Sequence, residues 1–291
     1  MNQAVAAKPT PVVTLISASC RELIAGRGSL PSMPDVAARI HGAMASPNWS
    51  ISTISAIIKG DPGTTTYLIQ IANSAMYGAV TPIRDVERAI MRIGMDNTRS
   101  LVMAHALRSM FMTGSKILRT LMRQTWTSSA RLAALSAVLA NHGARIPPER
   151  ALLAGLLQDI GVLPILNVLN RYQDQLTDEA QVRRAVDRYA PQVGQVLLKH
   201  WDFEPDMVEV PRSRCDWLRN PGPEAELADL VLLARLHDRI VAGQADELPR
   251  IDELPAFAKF PLGALLPDSS LEILDAEQEA VNGLVRALGG Q

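Results

Sequence analysis

Residues 116–140, KILRTLMRQTWTSSARLAALSAVLA, carry the longest uninterrupted periodic pattern in the chain. Apolar and small residues recur there every three or four positions, at Ile117, Leu121, Trp126, Ser129, Leu132, Ala133, Ser136 and Ala140. That spacing places them on one face of an α-helix. Asn141, His142 and Gly143 follow, and glycine is common just past a helix end. The stretch therefore predicts one long helix with one face in a core.

The same helical period recurs on both sides of this stretch, and no convincing run of β-alternation competes with it. Ser50, Asp61-Pro62 and Asp85 each precede an apolar stripe and are residue types that favour a helix start. Gly94 separates two further stripes. Towards the C-terminus the pattern predicts helices over 148–159, 178–189, 192–201, 205–210, 224–242 and 269–288. The sequence predicts an all-α fold.

The composition limits the class of protein. The 291 residues are 47% hydrophobic with a net charge of −1, so no accumulated positive charge favours binding to nucleic acid or to an anionic membrane. The longest apolar region, around 151–169, is interrupted by polar residues and proline, so we do not expect it to cross a bilayer. Two cysteines, Cys20 and Cys215, cannot form a disulfide framework. We expect a cytoplasmic protein.

Several segments occur in an order that resembles one bacterial family. They are LPSMP at 30–34, DPGTTTYLIQIANSAMYG at 61–78, ERAIMRIGMDNTRSLVMAHAL at 87–107, Trp126, AGLLQDIG at 154–161 and VGQVLLKHWDFEPDMV at 193–208. Together they resemble the HDOD family, a signalling-associated branch of the HD superfamily. The resemblance covers roughly residues 23–210, with a weaker helical continuation to the C-terminus.

The resemblance implies a domain organisation. A flexible tail over 1–13 would precede an HDOD module over 14–220, which divides into an N-terminal helical bundle (14–115) packed against an HD-like bundle (116–220). Residues 224–291 would form a C-terminal helical region packed on the module. The resemblance also marks structural or interaction residues, namely Asp61, Pro62, Asn73, Ser74, Gly94, Trp126, Gly155, Gly161, Gly194 and Trp201. For Asn73 and Ser74 two interpretations stay open: a helix C-terminal cap, or a contact that fastens the two bundles or faces a partner.

The resemblance also locates the positions where an HD phosphohydrolase holds its metal. Those positions carry Ser128, Gln158 and Ala190 in place of histidines, and Arg212-Ser213 in place of a His-His pair. Only the carboxylate of Asp159 remains, and a single carboxylate cannot hold a catalytic metal unaided. We expect Asp159 to hydrogen-bond helix-end amides or Ser128, and the positions Ser128, Gln158, Asp159 and Ala190 to form a degenerate pocket.

The remaining histidines offer an alternative metal site. A phosphohydrolase with atypical ligands would need His105, His200 or His237 to meet Asp159 in space. His105 lies on an apolar stripe, which favours a core histidine, and the His237-Asp238 doublet is interpreted as coincidence. A loosely basic region with Arg84, Arg88, Arg92 and Arg99 is interpreted as a solvated face, with an acidic partner or a phosphate as the alternative.

The sequence thus predicts a non-catalytic regulatory protein of bacterial signal transduction that binds a protein partner, with no cofactor and no metal. A small ligand in the degenerate pocket and self-association stay open. Nucleic-acid and membrane binding have no support in the charge pattern. The competing hypothesis is a metal-dependent phosphohydrolase or phosphodiesterase of the HD superfamily.

Overall fold

The computed structural model of the protein describes residues 11–46, 49–74, 77, 81–111, 116–142, 145–171, 179–244, 246 and 248–290. Its helices are α1 (Pro11–Ile24), α2 (Asp35–Ala45), α3 (Ile51–Lys59), α4 (Pro62–Ala72), α5 (Val86–Ile93), α6 (Met95–Met110), α7 (Lys116–Asn141), α8 (Pro148–Leu157), α9 (Val162–Asn170), α10 (Glu179–His200), α11 (Pro205–Arg212), α12 (Leu227–Val241), α13 (Glu272–Ala276) and α14 (Gln278–Ala287). Within these described ranges, β pairing is limited to one isolated antiparallel bridge between Leu265 and Leu271. The predicted all-α fold is confirmed. Residues 1–10 of the predicted tail lie outside the described part of the chain.

Side-chain caps begin three of the first helices, where the sequence predicts them. The Ser50 hydroxyl accepts a hydrogen bond from the Thr53 amide at 3.1 Å, and the Asp61 carboxylate accepts one from the Thr64 amide at 2.6 Å. Asp85 caps α5 in the same way. Each cap satisfies an amide that has no partner within the first helical turn, which fixes where α3, α4 and α5 begin.

Helices α2 to α6 form a first bundle. The helix α2 packs on α3 and α6, and α4 packs on α5 and α6. The turn from α5 to α6 passes through Gly94, whose φ of +87° is a conformation that residues with a Cβ rarely adopt. Gly94 therefore allows a connection of one residue between α5 and α6.

Helices α7 to α12 form a second bundle around α7. The most extensive contact of the fold is between α7 and α8, and α10 packs on α11 and α9. The first helix of the chain, α1, also packs on α10 and α9. By its contacts α1 therefore belongs with the second bundle, although it precedes the first bundle in sequence.

Polar contacts join the two bundles. The Ser100 hydroxyl of α6 donates to the Glu149 carbonyl of α8 at 3.0 Å. The indole N–H of Trp201 donates to the Pro31 carbonyl at 3.0 Å, and this tryptophan is 5% exposed. Buried donors with a partner avoid the cost of desolvation without a hydrogen bond, so these contacts hold the bundles in one arrangement.

The C-terminal segment closes over both bundles. Helix α14 packs along α7, and the Tyr67 hydroxyl of α4 donates to the Ala287 carbonyl at 2.9 Å. Between α12 and α13, Lys259 forms a salt bridge with the fully buried Asp229 of α12 at 3.0 Å. This segment is therefore anchored to both bundles by side chains.

Four predicted helix ranges need correction. The ranges 178–189 and 192–201 are one helix, α10, with Pro191 inside it. An interior proline costs about 3 kcal/mol through one lost hydrogen bond and a steric clash, and the packing of α10 on α1, α9 and α11 outweighs that cost. The range 269–288 holds two helices, α13 and α14. Helix α8 ends at Leu157, so the 158–161 segment is a turn.

The stretch Pro148–Asn170 is long and apolar enough to cross a membrane by length and composition. In the fold, 94% of its most apolar window is buried against other helices. A core segment of a helical bundle has the same composition as a membrane span, because both bury their whole surface.

Candidate functional site

Two glycines place the 158–161 turn between α7 and α10. A Cβ at Gly155 would lie 2.7 Å from the Leu132 carbonyl oxygen, and one at Gly161 would lie 2.5 Å from the Gly194 amide nitrogen. Such distances are too short for any side chain, so α8 contacts the backbone of α7 directly and the turn contacts the backbone of α10. Gly194 in turn leaves room for Pro211 of α11.

This packing buries the two polar residues of the turn. Gln158 is 1% exposed and Asp159 is 6% exposed. A buried carboxylate costs several kcal/mol unless it is paired or hydrogen-bonded. The fold must therefore supply partners for Asp159.

Two arginines supply them, Arg214 from the turn after α11 and Arg235 from α12. The Nε of Arg214 lies 3.0 Å from Oδ1 of Asp159, and Nη1 of Arg235 lies 3.0 Å from Oδ2. The same Nη1 donates to the amide oxygen of Gln158 at 2.7 Å. Arg214 also lies 3.4 Å from Oδ1 of Asp187 on α10. The prediction that Asp159 hydrogen-bonds helix-end amides or Ser128 is wrong, because its carboxylate pairs with guanidiniums.

The arginines decide the protonation of Asp159. Burial by itself raises the pKa of this carboxyl, but the charges of Arg214 and Arg235 together outweigh burial and hold the pKa below its ordinary value. In turn, burial lowers the pKa of Arg235, and the Asp159 charge more than compensates. Asp159 and Arg235 are therefore both charged at neutral pH.

The residues at the HD positions do not fit a divalent metal. The oxygens of Gln158 and Asp159 face guanidiniums, whose positive charge repels a second cation. Ser128 is exposed, and Ala190 has no donor atom. In the part of the chain that the structure describes, no three His, Cys, Asp or Glu side chains are grouped to hold a metal ion.

The histidines of the alternative metal site lie in other surroundings. His105 stacks on Tyr67 at 4.5 Å between ring centroids. His237 accepts a hydrogen bond from the Leu271 amide at 3.1 Å, and burial lowers its pKa to about 4. His200 is exposed at the end of α10. None of the three is among the described residues that line the space around Asp159.

A cavity of about 430 Å³ opens beside the buried ion pairs. Asp159 and Ser128 line it, as do three arginines and Asp187. Of the four positions expected to form a degenerate pocket, Ser128 and Asp159 are among the described residues that line this cavity, whereas Gln158 and Ala190 are not. The arginines that line it were not singled out by the sequence analysis.

The other predicted site residues lie away from this cavity. Asp61 and Pro62 begin α4. The side chain of Asn73 bonds both backbone groups of Ile83 at 2.7 Å, and Ser74 bonds the Ile71 carbonyl. Asn73 thus ends α4 and fastens the loop before α5 within the first bundle. Trp126 is 1% exposed and packs on Phe111.

No sequence pattern identifies these arginines, although each lies close to a position that the sequence analysis considered. Arg214 stands two residues after Arg212, where the resemblance places a histidine pair, and Arg235 precedes the His237-Asp238 doublet by two residues. Asp238 itself pairs with Arg131 of α7. The doublet is thus not the site, but its helix contributes to the site.

Comparison with known proteins indicates the family and the fold of the chain. Residues 30–214 match the HDOD domain family. A "Putative metal-dependent phosphohydrolase" from Shewanella amazonensis SB2B superposes with a TM-score of 0.77 at 24% identity, over 94% of this chain and 98% of that one. A "Putative signal transduction protein" from Marinobacter aquaeolei VT8 gives a TM-score of 0.64 at 18% identity, over 95% of this chain and 66% of that one. At these identities the similarity shows the fold.

A curated relative comes from Treponema pallidum (strain Nichols), where it is an uncharacterized protein. It is 21% identical over 241 residues, which are 76% of this chain. The match covers 45% of that relative, so this chain spans less than half of its length.

Proposed function

The chain belongs to the HDOD family, and on that premise we propose that it is a non-catalytic regulatory protein of bacterial signal transduction that acts by binding another protein. The observation that carries the proposal is the pairing of Asp159 with Arg214 and Arg235. Guanidiniums here supply the positive charge that a metal supplies in an HD phosphohydrolase. A guanidinium neither lowers the pKa of a bound water as a metal does nor offers an open coordination position.

The competing function is a metal-dependent phosphohydrolase. The name of the Shewanella structure supports it, and the shared fold is compatible with it. The donor groups of this chain speak against it, because Gln158 and Asp159 already accept from cations. Fold similarity alone does not transfer an activity, since catalysis depends on the particular residues of a site.

The cellular setting is also proposed. Cys20 is buried, Cys215 is exposed, and both are unpaired, which suits a reducing cytoplasm. In that compartment the chain would meet a protein partner. Self-association is a second binding mode that fits the same role.

Elemental metal analysis tests the non-catalytic part. The full, untagged chain is exposed to manganese, iron and zinc, desalted and analysed, alongside Asp159→Ala and the matched control Asp187→Ala. We expect metal content far below one equivalent in all three. One equivalent that is lost in Asp159→Ala and kept in Asp187→Ala would overturn the proposal and favour the phosphohydrolase. Gln158→Ala replaces Asp159→Ala if that variant does not fold.

Crosslinking in a lysate of the source bacterium tests the partner-binding part. The tagged full chain is crosslinked, purified and analysed by mass spectrometry against a tag-only control. We expect one protein to be recovered in a fixed ratio to the chain. Recovery of the chain alone, or only of copies of itself, would count against a protein partner.

A further inference from the structure

Among the described residues that line the cavity beside Asp159, cations outnumber anions. Arg183, Arg214 and Arg235 line it, against the carboxylates of Asp159 and Asp187. Arg239 lies close enough to Asp159 to lower its pKa further. The excess of guanidiniums gives the cavity a positive potential, and walls of low dielectric strengthen that potential.

Two of these guanidiniums are buried without their full set of partners, namely Arg235, whose Nε makes no hydrogen bond to another described residue, and Arg214. Arg214 is 5% exposed, and neither its Nε nor its Nη1 makes a hydrogen bond to another described residue. The Nε lies 3.0 Å from Asp159, but its N–H is not directed at that oxygen. A buried donor without an acceptor is energetically costly, and the cost is larger when the donor is charged. An acceptor placed in the cavity would remove that cost.

Asp187 is a weak acceptor for the guanidinium of Arg214. Its Oδ1 lies 3.4 Å from Nη2 of Arg214, and its side chain is 71% exposed. An ion pair of such length and exposure contributes little. A ligand with more oxygens can displace it, because the Asp187 carboxylate can turn into water at little cost.

The cavity has the size and the chemistry for a phosphoryl group. Its volume of about 430 Å³ is that of a small-molecule site. Guanidiniums bind phosphoryl oxygens through paired, charge-assisted hydrogen bonds. On the α7 side the cavity is lined by Ser128 and by Thr125, whose hydroxyl already donates to the Leu121 carbonyl at 2.9 Å. Among the described residues that line the cavity there is no aromatic ring, so no surface for stacking a nucleobase is present.

We propose that this cavity binds the phosphoryl group of a small metabolite, held by Arg214, Arg235 and Arg183, with Asp187 as the group that the ligand displaces. The ligand is bound and not hydrolysed, because guanidiniums do not lower the pKa of a water as a metal does. This inference rests on the proposed function, since it names what the regulatory site would sense.

Calorimetric titration of the full chain tests the inference. The probes are inorganic phosphate and pyrophosphate, with acetate as a carboxylate control, at constant ionic strength set with chloride. Asp187→Asn should tighten phosphate binding about threefold, because it removes a competitor worth less than about 1 kcal/mol. Arg183→Gln should weaken it roughly three- to tenfold, because an exposed charge-assisted contact is lost. Arg184→Gln, on the same helix but outside the cavity lining, is the matched control and should bind as the unchanged chain does.

Each other outcome has a definite meaning. No heat with either phosphate probe, in both the unchanged chain and Asp187→Asn, would overturn the phosphoryl site and leave the proposed partner binding untouched. Equal weakening in Arg183→Gln and Arg184→Gln would place binding elsewhere and also overturn it. Acetate binding as tightly as phosphate would reduce the site to a general anion site and overturn the phosphoryl assignment. Release of phosphate from p-nitrophenyl phosphate by the metal-treated chain would instead refute the non-catalytic function.

Discussion

Replacing Asp159 with asparagine should destabilise the fold more than any other single carboxylate change at this site. The side chains of Asp159, Arg214 and Arg235 are 8%, 6% and 13% exposed, so the substitution removes the buried counter-charge of two guanidiniums and leaves Arg214 only the exposed Asp187. Breaking a buried ion pair by removal of one partner costs about 3–5 kcal/mol. The asparagine oxygen can still accept from Arg235, which favours the lower end of that range.

Urea unfolding followed by circular dichroism measures this cost. The matched control is Asp187→Asn, which removes a carboxylate from the same Arg214 but at a side chain that is 71% exposed. Its cost should be about 0–1 kcal/mol. A second substitution, Arg214→Gln, added to Asp159→Asn should cost less than it does in the unchanged chain, because the arginine no longer has a buried partner to lose.

The same pair predicts the direction of pH dependence. Because the pKa of Asp159 is lowered in the folded protein, its stabilising effect is present above the unfolded value of about 3.9 and is lost as pH falls through the folded value. Asp159→Asn should remove that loss at acid pH. A cost for Asp159→Asn no larger than that for Asp187→Asn would refute the reasoning, since the arginines would then not depend on Asp159.

Three further changes test other parts of the fold. Gly161→Ala should lower stability by about 1–3 kcal/mol, because its Cβ would lie 2.5 Å from the amide nitrogen of Gly194; an unchanged thermal midpoint would contradict the close contact with α10. Asn73→Ala should cost about 1–3 kcal/mol and speed hydrogen exchange of the Ile83 amide, because both bonds of 2.7 Å are lost, whereas Asn73→Asp, which keeps the acceptor, should leave that amide protected. His237→Asn should flatten the fall in stability between about pH 6.5 and pH 4: burial lowers the pKa of His237 to about 4, so the unfolded chain takes up a proton in that range while the folded chain does not. Equal slopes for both proteins in urea unfolding over that range would contradict it.

Local patterns predicted the helices well, because the signals for a helix and its start lie within a few residues of one another. The starts of α3, α4 and α5 depend on a side chain and an amide no more than three positions apart. The continuity of α10 through Pro191 was missed for the opposite reason. Proline is a local signal for a helix end, and the packing that overrides it comes from α1, α9 and α11.

The site shows the same difference between local signals, which the sequence reveals, and long-range contacts, which it does not. The absence of histidines at Ser128, Gln158 and Ala190 is visible in the sequence, since each position can be read directly. The arginines that pair with Asp159 are not, because Arg235 lies 76 positions away and on another helix. A salt bridge between distant residues leaves no periodic trace. Only the rule that a buried carboxylate needs a partner indicates that such a residue must exist.

The position of Arg235 in the sequence shows that the C-terminal segment contributes a side chain to the site. Arg214 is the last residue of the family match over 30–214, and Arg235 lies beyond that match, on α12. Asp159 is therefore compensated partly from outside the HDOD module. A ligand that draws Arg235 towards the cavity, or a partner that shifts α12, would change the charge balance around Asp159 and with it the packing of α12 on α7 and α8. The ion pairs thus connect the cavity to α12, a helix whose residues are mostly buried against the rest of the fold.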